Sequence, residues 1–156
     1  MKAPADYGTR FQDHLVEQYK LYVEMADRVS SRRSQANLFF VSVSSGLLAP
    51  LSFVSAANSK SEHTHVLFLV AGIFGLGTCL RWFLTIRSYA QLNSLKFKVV
   101  QEIENQLPFP CYQREWQLDR TGGDRRKYLR LTFVERLVPL VVGCAYATLL
   151  AYSFVV

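Results

Sequence analysis

The stretches SQANLFFVSVSSGLLAPLSFVSAANS (Ser34 to Ser59), VLFLVAGIFGLGTCL (Val66 to Leu80) and LVPLVVGCAYATLLAYSFVV (Leu137 to Val156) contain no Asp, Glu, Lys or Arg, in a chain otherwise crowded with them. Extended by a few flanking residues, each reaches the roughly 20 residues that cross about 30 Å of hydrocarbon at about 1.5 Å per residue. This predicts an all-α integral membrane protein with three transmembrane helices. Three buried helices of a soluble bundle are the competing reading, but so small a bundle would have little polar surface with which to cover itself.

Half of the 156 residues are apolar, which allows one domain over residues 1–156. The mean hydropathy of +0.09 averages over a sharp division between apolar spans and charged segments. No apolar core precedes Leu38, so no cleavable signal peptide is expected and the first span itself serves as the targeting signal. The cysteines Cys79, Cys111 and Cys144 are odd in number and two lie in apolar spans, which argues against a disulfide framework.

The net charge of +6 invites a nucleic-acid reading until the charges are located. Lys2, Arg10, Lys20, Arg28, Arg32 and Arg33 precede the first span, and eleven more basic residues lie from Arg81 to Arg136. The loop between the first two spans holds only Lys60. Cytoplasmic flanks accumulate Lys and Arg, so the amino terminus and the middle segment are placed inside, and the carboxyl terminus at the outer face. No aromatic and basic recognition motif accompanies the charge, and no nucleic-acid partner is expected.

Outward from the spans, Phe11, Leu15, Tyr19, Tyr22, Ala26 and Val29 recur at helical spacing, with Glu24 and Arg28 at i,i+4 on a solvated face. One helix from about Gly8 to Ala56 is predicted, with Pro50 bending its outer third. The expected organisation is a cytoplasmic amphipathic helix over 8–33, spans at 35–57 and 66–86, a cytoplasmic helix at 87–107, a loop at 108–124, a basic helix at 125–136 and a third span at 137–156. The second helix is expected to stop at Leu107-Pro108-Phe109-Pro110, and Gly122-Gly123 marks a turn or mobile loop.

Candidate functional residues fall into three groups. Ser42, Ser45, Ala49 and Ser52 share a seam of small side chains in the first span, as Ala71 and Gly75 do in the second and Gly143, Ala147 and Ala151 in the third. Small seams let membrane helices approach closely, which predicts a homo-oligomer, with packing inside one subunit as the alternative. The serine hydroxyls could also line a pore, but serines in membrane helices often bond back to their own carbonyls, which favours a dry seam. Arg32, Arg33, Arg81 and Arg87 sit where lipid headgroups are expected, so membrane lipids are expected partners. Leu92, Leu95, Val99 and Ile103 form a stripe that Phe109, Tyr112 and Trp116 either cover or extend as a surface for a cytosolic protein partner.

No catalytic arrangement stands out, and a non-enzymatic protein without cofactor is expected. His63 and His65 alternate like strand ligands, but with only Glu62 beside them they are a weak metal signal, and no metal is expected. Cys111 has no nearby His in sequence to activate it.

Two blocks, YKLYVEMADRVSSRRSQANLFF from Tyr19 to Phe40 and RSYAQLNSLKFKVVQEIENQLPFPCYQREW from Arg87 to Trp116, resemble the bacterial RipA-like octameric membrane protein family. They cover about a third of the chain; the chain departs where Ala90 stands in place of an expected basic residue. The resemblance implies a bacterial inner-membrane homo-oligomer, an octamer, whose charged blocks form a cytoplasmic assembly, and it brings no catalytic residues. The layout is also similar to small membrane effectors of bacterial conflict systems, which implies a stress- or defence-linked pore. A membrane scaffold that binds a cytosolic partner without conducting is the alternative.

Overall fold

In hydrocarbon a backbone amide has no water to bond, so an apolar stretch must close its hydrogen bonds within itself, and a helix does so along one segment. In a computed structural model, which describes residues 7–56, 64–121 and 131–154, the described residues form four helices. They are α1 (Phe11–Ala56), α2 (Thr64–Glu104), α3 (Cys111–Thr121) and α4 (Leu131–Ser153), and no strand occurs among the described residues. Helices α1, α2 and α4 are each long and apolar enough to cross a membrane. The 46 residues of α1 and the 41 of α2 extend about 69 Å and about 62 Å, about twice the hydrocarbon thickness.

Helix α1 starts at Phe11, because Gly8 adopts φ +93° in a turn whose carbonyl accepts the Phe11 amide at 3.3 Å. A residue with a side chain would pay about 1 kcal/mol or more for that left-handed conformation. From there α1 remains helical through Pro50 to Ala56. Helix α2 runs without interruption from its apolar part through the Leu92 stripe and ends at Glu104, where the amides of Gln106 and Leu107 turn back to Ile103 and Glu104 carbonyls at 3.0 Å.

The chain divides into two compact units. One takes Met1–Arg32 with Tyr89–Tyr128, the other Arg33–Ser88 with Leu129–Val156. In the first, charged unit, Leu15, Ala26 and Val29 of α1 and Val100 and Ile103 of α2 are buried. In the second, apolar unit, Leu51, Phe68, Cys79, Trp82, Ile86 and Tyr146 are buried.

The expected loop at 108–124 is corrected: Cys111 to Thr121 is helix α3, while 122–124 lie outside the described residues. The cause is Glu104. Its carboxylate accepts the Tyr112 amide at 3.0 Å and the Gln113 amide at 3.3 Å, two of the first-turn donors that a helix cannot satisfy internally. A negative group there also suits the positive end of the helix dipole. Pro110 leads in with no amide of its own to satisfy, and the Phe97 ring meets Tyr112 edge-on at 5.5 Å. Of the expected basic helix at 125–136, residues 125–130 lie outside the described residues, and Leu131 to Arg136 belong to α4.

Replacing Glu104 by Ala strands both amides and the Tyr19 hydroxyl that shares its carboxylate, at a cost of about 3 kcal/mol. Amide exchange at Tyr112 and Gln113 is then expected to accelerate about 100-fold. Unchanged exchange would show that α3 is held by something else.

Candidate functional site

In the charged unit the geometry converges on Glu104, which is 1% exposed although it is an acid. Buried charges require partners, and here the Tyr19 hydroxyl of α1 and the Tyr112 amide of α3 donate to Oε1 at 2.9 and 3.0 Å while the Gln113 amide donates to Oε2 at 3.3 Å. One carboxylate thus ties three helices of this unit. Burial, the hydrogen bond to Glu104 and its nearby charge all hold the Tyr19 phenol well above its ordinary value of 10.0. Beside this node, Lys96 Nζ lies 5.7 Å from the centre of the Tyr22 ring, a cation over an aromatic face.

In the apolar unit, close approach is built on glycine. Tyr146 of α4 is fully buried, and its ring fills the space that a side chain at Gly75 of α2 would need. Its hydroxyl donates to the Ser44 carbonyl of α1 at 2.9 Å, so one tyrosine joins three helices and satisfies its polar end. A Cβ on Gly72 would stand 3.0 Å from Leu150 Cβ, and one on Gly143 would stand 3.7 Å from Cys79 Cβ. Trp82 of α2 donates to Asn37 Oδ1 of α1 at 2.9 Å and stacks on Phe40 at 5.8 Å. Phe68 and Tyr152 meet edge-on.

The predicted seams therefore divide. Gly75 is taken up by the chain's own Tyr146, which corrects its assignment to an oligomer seam, and Ala71 and Gly143 are half-buried. Ser42, Ser45, Ala49 and Ser52 of α1 and Ala147 and Ala151 of α4 remain exposed. The hydroxyls of Ser42 and Ser52 donate to the Leu38 and Leu48 carbonyls one turn back, at 2.9 and 3.0 Å. Gly46, next to this face, has open space where a Cβ would go.

Of the expected headgroup residues, Arg32, Arg81 and Arg87 are exposed, but Arg33 is corrected. Its Nε lies 3.4 Å from Glu135 Oε2 of α4, with the two side chains 13% and 17% exposed, an enclosed ion pair rather than a cation reaching for lipid. Neither atom has hydrogen-bond geometry, so the contact is Coulombic. Removing one partner of such a pair costs far more than the pair contributes.

The expected partner surface is also divided. Ile103 is buried, which removes it from that surface, Val99 and Tyr112 are half-buried, and Leu92, Leu95 and Phe109 are exposed. Tyr112 covers Phe97; the side chain of Trp116, like His63, lies outside the described residues. Among the described residues no three His, Cys, Asp or Glu side chains are grouped as metal ligands. Sequence reasoning missed Glu104, Tyr19 and the Asn37–Trp82 pair as organising contacts.

A match to the octameric membrane protein family (8xMP) runs over residues 16–155 and takes in both units. The chain belongs to that family. It is a membrane protein with three candidate spans. No curated protein and no solved structure matches the chain.

Two outcomes are expected from these contacts. Gly75→Ala should cost about 1–3 kcal/mol by overpacking against the Tyr146 ring, whereas Gly77→Ala, with open space, should cost nothing; thermal unfolding of the detergent-solubilised protein reads both. For Tyr19, a raised folded value means that its contribution to stability is complete below the unfolded phenol's pKa near 10.0 and is lost as pH climbs through the folded one. The tyrosinate absorbance of the folded protein should accordingly contain a late-titrating phenol that Tyr19→Phe lacks.

Proposed function

We propose that this chain assembles as a homo-octamer in the bacterial inner membrane and acts through that assembly rather than through catalysis. The amino terminus and the charged segments face the cytoplasm and the carboxyl terminus faces outward, following the distribution of Lys and Arg. The observation that carries the reading is the exposed face of Ser42, Ser45, Ala49 and Ser52. It lies in an apolar span, the hydroxyls of Ser42 and Ser52 are satisfied within α1, and the described helices of the chain do not cover it. Lipid tails gain nothing from a smooth small-residue face, whereas a second helix can approach it closely. Membership in a family described as octameric supplies the number.

Such an assembly acts as a stress- or defence-linked membrane effector whose cytoplasmic helices control the packing of the spans and open a path for ions. Exposed Leu92, Leu95 and Phe109 favour a second reading, a scaffold that holds a cytosolic protein without conducting. Purified protein in nanodiscs should have eight times the 17.8 kDa chain mass. Reconstituted in liposomes, it should pass ions under an applied potential, and Ser42→Leu with Ser45→Leu should abolish the flux. An octamer that never conducts leaves the scaffold; a monomer sinks both.

A further inference from the structure

The charged unit leaves two apolar faces uncovered. On α1, Leu21 and Met25 stand four residues apart, and Leu21 is 55% exposed. On α2, Leu92, Leu95 and Val99 share a second face, and Leu95 is 59% exposed. Neither can be a lipid-facing surface within the hydrocarbon, because the same helical turns carry Glu17, Lys20, Glu24, Lys96 and Lys98.

The octamer restricts what covers them, and the inference rests on that reading. Copies of one sequence carry the same flanking charges and enter the membrane in one orientation, so a twofold axis in the membrane plane, which would invert half of them, is ruled out. A ring is then the closed arrangement, and each subunit must present two unlike surfaces to its two neighbours. Rotation about the membrane normal conserves height, so those surfaces must lie at one level. Tyr19 meets Glu104 and Tyr22 meets Lys96, which makes α1 and α2 antiparallel and sets Leu21 and Met25 level with the Leu92–Val99 stretch. The net charges are opposite as well. From Asp13 to Arg28 α1 carries Asp13, Glu17, Glu24 and Asp27 against Lys20 and Arg28, with Arg28 paired to Glu24 at 2.7 Å, whereas α2 from Tyr89 to Glu102 carries Lys96 and Lys98 against Glu102.

We infer that Leu21 and Met25 of one copy pack against Leu92, Leu95 and Val99 of the next, forming the water-exposed subunit contact of the ring. Exposed acids on one side and lysines on the other fix the register, because like charges would oppose each other if two identical faces met.

Disulfide trapping tests the pairing in a Cys111→Ser, Cys144→Ser background. Oxidation of the Met25→Cys, Leu95→Cys double variant should give a ladder of covalent multimers, and neither single variant should give one. Leu21→Asp, at a site already exposed in the single chain, should lower the eight-chain population about tenfold by burying a charge in the contact. Monomeric bands from the double variant in complexes that keep the octamer mass would overturn the inferred contact, as would an octamer indifferent to Leu21→Asp, including one that holds a cytosolic protein on this face. A ladder from complexes of another multiple would keep the contact and overturn the octamer; a monomeric wild type would overturn both.

Discussion

Every peptide group that enters hydrocarbon must find its hydrogen bond inside the protein, and the rest of this structure depends on that requirement. It converts the charge-free runs into helices before any tertiary contact forms. Burying apolar surface cannot then bring the spans together, since lipid tails are as apolar as leucine. Shape and polar satisfaction take over. Tyr146 illustrates both: its ring requires the bare backbone of Gly75, and its hydroxyl requires the Ser44 carbonyl. Trp82 and Asn37 solve the same problem, each satisfying a polar group that hydrocarbon would leave unpaired.

The charged unit follows different rules. Water competes for its polar groups, so a buried acid is worthwhile only if protein partners stand in for its hydration. Glu104 has one phenol and two amides in that role, and the gain is structural: the start of α3 is determined by a side chain on the preceding helix. The Pro-Phe-Pro corner is therefore both a stop and a start. It ends α2 by removing donors, and it returns the chain to a carboxylate waiting one turn back.

The three spans were legible because the absence of charge over such lengths is a property of composition, independent of partners. Helix α3 was not. Its sequence follows two prolines and is rich in polar residues, and the acid that caps it resembles any solvated glutamate until Tyr19, 85 residues away in sequence, is seen to cover it. The small-residue seams were visible as patterns but not as assignments. Gly75 and Ser45 obey the same spacing, yet one is filled by an aromatic ring of its own chain and the other is exposed, and only the position of α4 distinguishes them. Arg33 was misread for the same reason: a cation at a span boundary reaches for headgroups by default, unless a distant carboxylate intercepts it.

That interception bears on the order in which the protein is made. Glu135 stands with Arg136 at the edge of the charge-free run of α4, and charged groups entering the boundary of the bilayer resist insertion. Arg33 emerges from the ribosome three helices earlier. When α4 arrives, a counter-charge for Glu135 is already in place on α1, so the first helix acts as a receptor for the last, and a nascent chain that lacks α1 brings in Glu135 with only its neighbour Arg136 to offset the charge.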